Sequence, residues 1–197
     1  MILVFDLSGV FFNDGLEVAV ERISKRFNKE PKNVEFVLNG SLAEKYRTGL
    51  EREQEFWERA KEHLGITDIN AVRDIFFSAY YPHQESIDLM KQLRTRGIRI
   101  GYLSNSPEDR TAHLEKKYHF ISLFDFGLFS YEVHVWKPNP GIYQVLVEKY
   151  ALNPLDILYV DDRESNLRPA QALGMKTFLW ESVSQFRSAT GQFGIHL

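Results

Sequence analysis

The chain of 197 residues contains no cysteine, which excludes a disulfide framework, a thiolate nucleophile and a cysteine-ligated zinc, and makes a cytoplasmic protein the simplest reading. Nowhere does it run to ~18 uninterrupted apolar residues, so no membrane span is expected. The apolar opening has no basic leader and is broken at Asp6, which does not fit a signal peptide. Neither sign of charge dominates, with 24 Lys and Arg against 27 Asp and Glu. No nucleic-acid surface is expected from that balance, while a local basic pocket for a small anion remains compatible with it. Internal repeats, low-complexity tracts and Gly/Ser linkers are missing. The 6 histidines show no metal-ligand spacing, and His113 and His119, near a helix end, read as structural. The length suffices for one domain with a sizeable core and a small insertion, as a monomer or homodimer.

What is present begins at the first residues. Ile2, Leu3, Val4 and Phe5 form an unbroken apolar run suited to a strand buried on both faces in the middle of a parallel sheet. It ends in Asp6. A carboxylate there lies at the edge where open α/β sheets bind ligands, and Gly9 lets the backbone turn sharply beside whatever is bound. Taken alone, Asp6 could equally be a cap at the strand exit.

Asn13-Asp14-Gly15 is turn chemistry. From Leu16 to about Tyr81 the spacing is helical throughout: Leu16, Val20, Ile23 and Phe27 on one face, then a helix opened by Pro31, and a segment capped by Ser41 through Tyr46. A helix from about Glu51 to His63 stops at Gly65, and Asn70 caps another. A block without a strand candidate, set between the first strand and the rest of the sheet, predicts a helical cap over residues 14–81. Beyond Pro82 strands and helices alternate. Helices are expected over Glu85–Arg96, from Pro107, over Gly141–Tyr150 and over Ser165–Leu173, with one short helix near Phe186. Strands are expected over Ile98–Leu103, Phe124–Phe129, Ile157–Val160 and Thr177–Trp180. The order predicts an α/β fold, a doubly wound parallel sheet whose core comprises residues 1–13 and 82–197.

The strand exits and the connections between them carry Asp6, Ser104-Asn105, Lys137 and Asp161-Asp162. Singly, each has a structural reading: Ser104 as a helix cap, Lys137 as a solvated lysine, the aspartate pair as a turn. Parallel strands, however, bring all these positions to one edge of the sheet. Carboxylates alone would repel a phosphate. Bridged by Mg²⁺ and flanked by a lysine and backbone amides, they would instead bind one.

The motifs Asp6-Leu7-Ser8-Gly9-Val10, Leu103-Ser104-Asn105, Lys137-Pro138 and Tyr159-Val160-Asp161-Asp162 with Asn166 resemble those of the haloacid dehalogenase-like (HAD) hydrolases, in order and context. The resemblance runs over essentially the whole chain. Within the family the chain is most similar to capped phosphatases related to the sugar-1-phosphate phosphatases and to the amino-terminal phosphatase domain of soluble epoxide hydrolases. It implies a Rossmann-like HAD core with an inserted α-helical cap, and a small-molecule phosphate ester as substrate, hydrolysed through an aspartyl-phosphate on Asp6. It further implies Mg²⁺ held by Asp6, the Ser8 carbonyl and Asp162, with Asp161 beside them. Ser104 and the Asn105 amide would bind phosphate oxygens, and Lys137 would offset charge at the nucleophile.

One position departs from the pattern. Phosphatases of the family usually carry a second aspartate two residues after the nucleophile, as general acid, and here that residue is Ser8. A hydroxyl is too weak an acid to take over, so assistance of roughly 10²–10⁴-fold is in question. Three readings follow: a phosphatase whose leaving group needs little protonation, such as an acyl, aryl or sugar-1-phosphate; a phosphate-ester-binding protein with little or no turnover; or a dehalogenase, for which adjacent Asp161 and Asp162 would have little purpose. The cap would set the substrate, with Tyr46, Arg47 and Trp57 as candidate lining residues and Arg47 meeting a second anionic or hydroxyl-rich group.

Overall fold

The computed structural model describes residues 1–195; His196 and Leu197, assigned above to the core, lie outside the described residues. After β1 (Ile2–Phe5) come five helices: α1 (Gly15–Phe27), α2 (Pro31–Asn39), α3 (Glu44–Arg47), α4 (Glu53–Leu64) and α5 (Ile69–Ser78). The remainder alternates: α6 (Gln84–Thr95), β2 (Arg99–Ser104), α7 (Glu108–Tyr118), β3 (Phe126–Phe129), α8 (Ser130–Val133), α9 (Pro140–Lys149), β4 (Ile157–Asp161), α10 (Glu164–Ala172), β5 (Lys176–Leu179) and α11 (Val183–Ala189). The strands form one parallel sheet in the order β3-β2-β1-β4-β5. Among the described residues no helix is long and apolar enough to cross a membrane.

The two-residue alternation of β1 explains why it sits at the centre. Leu3 and Phe5 point into an apolar layer shared with Leu89, Met90 and Leu93 of α6 and Phe186 of α11. Val4 points the other way, into a layer with Ile142, Tyr143 and Leu146 of α9 and Leu167 and Ala170 of α10. Each fully buried Val, Leu, Ile, Phe or Met among them stabilises the fold by about 1.5–3 kcal/mol. The helical insertion has its own apolar stripe, with Ile23, Val34, Val37, Phe56, Ala60 and Val72 all buried and continuous with the first layer.

Differences from the expected elements have local causes. The fifth helix starts two residues early because Asp68, rather than Asn70, is its cap, accepting from the Ala71 N–H at 3.1 Å. β3 begins at Phe126, since the Phe124 N–H is taken by Ile121 in a tight turn at 3.0 Å. Pro107 precedes α7 instead of lying in it, and β5 is displaced by one residue toward the amino terminus. The short α8 was not anticipated; four residues carry too little periodicity to reveal a helix.

Asn13 joins the two chain segments that lead into and out of the insertion. Its side-chain amide donates to Ala79 O (3.0 Å) and accepts from Tyr81 N–H (2.8 Å), while its own N–H donates to Tyr81 O (3.1 Å). It is buried. Asn13→Ala should therefore leave two main-chain groups without partners and lower stability by about 1–3 kcal/mol in chemical denaturation. A loss below the error of the measurement would mean that water replaces the amide.

Candidate functional site

The order of the strands reverses at β1, so the crevice at the carboxyl ends of β1 and β4 is where an open α/β sheet can admit a ligand. Asp6 follows β1 and Asp161 ends β4, and the Asp6 N–H continues the sheet by donating to Val160 O at 2.8 Å. The next residues coil tightly. The Phe11 and Phe12 N–H groups both donate to Leu7 O, at 2.9 and 2.7 Å. Gly9 has φ +81°, and a Cβ there would fall 2.3 Å from Asp162 Oδ2, so only glycine admits both the turn and the neighbouring carboxylate.

Lys137 stands between two of the carboxylates. Its Nζ lies 2.9 Å from Asp6 Oδ1 and 2.8 Å from Asp161 Oδ2, with the side chain 1% exposed. Burial alone would lower the lysine's pKa, but Asp161 and Asp6 reverse that and hold it above its ordinary value. Asp161 is saturated. Oδ2 also accepts from Tyr159 OH (2.5 Å) and Asn166 Nδ2 (3.1 Å), and Oδ1 accepts from Arg163 N–H and Asn166 Nδ2, both at 2.9 Å. Burial pushes its pKa up, yet Lys137 and these hydrogen bonds bring it below the usual carboxylate range.

Asp6 and Asp162 are less well compensated. Burial, then the charges of Asp161 and Asp162, outweigh Lys137 and push Asp6 up to about 7. Burial and Asp161 push Asp162 to about 6. Oxygens of Asp6, Asp161 and Asp162 lie within 4.8 Å of one another. Three carboxylates facing one ammonium leave two negative charges over, and Asp162 Oδ1 is buried with no hydrogen-bond partner. All-oxygen donors, that excess charge and an orphaned oxygen together fit a hard divalent cation.

A cavity of about 150 Å³ opens above Asp6, bordered by Ser8, Asn105, Lys137 and Asn166 from the sheet side. Asn105 fixes the lysine: its Nδ2 donates to Lys137 O (2.9 Å) and its Oδ1 accepts from Lys137 N–H (2.8 Å). Ser104 is buried at the end of β2 and is not part of the cavity wall. From the helical insertion come Leu38, Asn39, Arg47, Phe76 and Tyr80.

Of the three expected lining residues, only Arg47 reaches the cavity. Tyr46 and Trp57 lie behind it, where Tyr46 OH and Trp57 Nε1 (3.3 Å) donate to Asp109 at the start of α7. Tyr46 also stacks on Phe56 at 3.9 Å. These contacts latch the insertion to the sheet domain, as do Ser130 Oγ donating to Arg47 O (2.6 Å) and His134 Nδ1 against Thr48 O (2.8 Å). Their aromatic character served packing, which helical spacing in the sequence cannot separate from ligand contact. Arg110 and Tyr80 of the cavity wall were not anticipated. A signal for Arg110 existed: it is a cation in the first turn of α7, where the helix dipole disfavours positive charge.

The chain is similar to several known proteins. A HAD family enzyme of Bacteroides thetaiotaomicron, solved in complex with magnesium and inorganic phosphate, superposes with a TM-score of 0.79 at 26% identity, covering 93% of this chain and 97% of its own. A phosphatase of Mycobacterium tuberculosis is 27% identical over 143 residues, 72% of this chain and 63% of its own. The (S)-2-haloacid dehalogenase 4A of Burkholderia cepacia is 24% identical over 143 residues, 66% of this chain and 61% of its own. The chain thus spans less than two-thirds of the length of these two curated relatives. The family model described as haloacid dehalogenase-like hydrolase matches residues 1–174, from β1 through α10. Since that span takes in every residue around Asp6, the chain belongs to the haloacid dehalogenase-like hydrolase family.

Proposed function

We propose that the chain is a phosphatase that moves the phosphoryl group of a small phosphate ester to Asp6 and then to water, with Mg²⁺ as cofactor. The observation that carries this reading is the uncompensated carboxylate cluster, with Asp162 Oδ1 left without a partner. Asp6, Asp162 and the Ser8 carbonyl would hold the ion, with Asp161 beside them. When bound, Mg²⁺ supplies positive charge that ionises Asp6 and screens it from the phosphate.

The chain's own residues do the rest. The Leu7 N–H (2.6 Å) and Lys137 both engage Asp6 Oδ1, which orients the carboxylate and leaves Oδ2 to attack phosphorus. Lys137 also neutralises charge that would otherwise repel the incoming anion. Asn105 borders the cavity and Ser104 does not, which favours the Asn105 backbone amide as the phosphate donor of the pair. Residues 14–81 act as the cap, and the bonds to Asp109, Arg47 O and Thr48 O close it and exclude water. A magnesium and phosphate complex of a similar structure, and a relative named a phosphatase, support the assignment. Dehalogenation, the activity for which the Burkholderia relative is named, would have Asp6 attack carbon and would leave Asp162 without a task.

Phosphate release from p-nitrophenyl phosphate, acetyl phosphate and a panel of sugar phosphates is expected with Mg²⁺. It should be lost with EDTA and reduced to background in Asp6→Asn, whose melting temperature checks the fold. Turnover that survives Asp6→Asn would remove the nucleophile, and binding without turnover on any ester would favour the non-catalytic reading opened by Ser8. Ser8→Asp should raise kcat/KM on alkyl phosphates by up to about 10²-fold, and far less on acetyl phosphate, whose leaving group needs no proton. An equal effect on both would show that proton supply is not limiting.

A further inference from the structure

Of the three arginines that border the cavity, Arg163 is exposed, while Arg47 and Arg110 are drawn into the wall with no counter-ion. None of the ion pairs among the described residues includes Arg47 or Arg110. Arg110 is only 4% exposed. Its guanidinium donates to neutral acceptors, Asn105 O (3.2 Å) and Ser106 Oγ (3.1 Å from Nη2), and lies over the rings of Tyr80 and Phe76 at 4.3 and 5.2 Å. Arg47 donates to the neutral Asn39 amide and lies 5.1 Å from the Trp136 ring. Buried cations are ordinarily paired. Here the opposite has been built. Burial, followed by repulsion from Arg110, pulls the Arg47 pKa down to about 10. The positive end of α7 adds to the same field, since Arg110 is in its first turn. Besides Asp6, the acidic group on the wall is Asp14, which caps α1 and lies beyond ion-pair distance of both arginines.

We propose that Arg47 and Arg110 form a subsite for a second anionic group, so that the substrate is a compact phosphorylated molecule also bearing a carboxylate or a second phosphate. The proposal rests on the phosphatase reading for the fate of the first phosphate. Asp6 and Lys137 border the same cavity of about 150 Å³, so both anionic ends must lie within one small volume. Planar guanidinium groups suit either anion, carboxylate or phosphate, through paired N–H donors. Arg47 belongs to the insertion and Arg110 to the sheet domain, so an anion between them would also draw the two parts together.

The test is isothermal titration calorimetry on the Mg²⁺-loaded protein with non-hydrolysable ligands: 3-phosphonopropionate for a carboxylate, ethylenebisphosphonate for a second phosphate, and propylphosphonate with neither. Wild-type protein should bind at least one of the first two about tenfold or more tightly than propylphosphonate. The preferred ligand identifies the second anion. That preference should shrink to within about twofold in Arg47→Gln and Arg110→Gln, and Arg110→Lys should restore part of it. Melting temperatures identify any variant that fails to fold, in which case the other arginine decides. Equal affinities for the three ligands in wild type would overturn the proposal. So would an equal loss for all three in the variants, which would place the arginines on the first phosphate. Failure of the phosphatase reading shows separately, as absence of turnover on every ester while the ligand preference persists.

Discussion

The Lys137 ammonium between Asp6 and Asp161 is the contact on which the rest of the arrangement depends. Three carboxylates brought to one sheet edge repel one another in a poorly solvated place, and removing one partner of such a buried pair typically costs about 3–5 kcal/mol. Much of the surrounding structure serves to keep the lysine there. Asn105, just beyond β2, grips its backbone, while Tyr159, Asn166 and the Arg163 N–H saturate Asp161, so that the lysine meets a fixed anion on one side. What is left without a partner is Asp162 Oδ1, and Asp6 is the carboxylate of the cluster that borders the cavity. Asp161 is saturated, while the adjacent Asp162 keeps an oxygen without a partner.

The helical insertion brings a cation to the cavity. Its Arg47, together with Arg110 of the sheet domain, gives the cavity a cationic wall above an anionic floor. Such polarity favours a ligand with both a group that tolerates carboxylates through a bridging cation and a group that seeks guanidinium. The latching contacts at Asp109, Ser130 and His134 set the distance between floor and wall. The residues that hold the insertion down are neighbours in the chain of those that line the cavity: Tyr46 and Thr48 flank Arg47, and Asp109 precedes Arg110.

How much of this was legible depended on whether the information was local. The alternation within Ile2–Phe5, the helical spacing of residues 16–78 and the position of Asp6, Lys137 and the Asp161-Asp162 pair at or between strand exits were all written in the chain, because period, strand order and parallel pairing follow from short-range pattern. Parallel pairing alone brings carboxyl ends together, so strand order is enough to assemble the cluster. By itself, then, the sequence determined an α/β sheet with a helical insertion and an acidic edge carrying one lysine. Tertiary structure alone decided which polar groups are satisfied and which aromatic residues pack rather than line the cavity. Tyr46 and Trp57 turned to Asp109, Ser104 lay below the wall, and Arg110 arrived from a helix remote in sequence from Arg47. Those outcomes depend on the docking of the insertion against α7 and α8, contacts between residues 52 to 86 positions apart, for which no local periodicity exists in the chain.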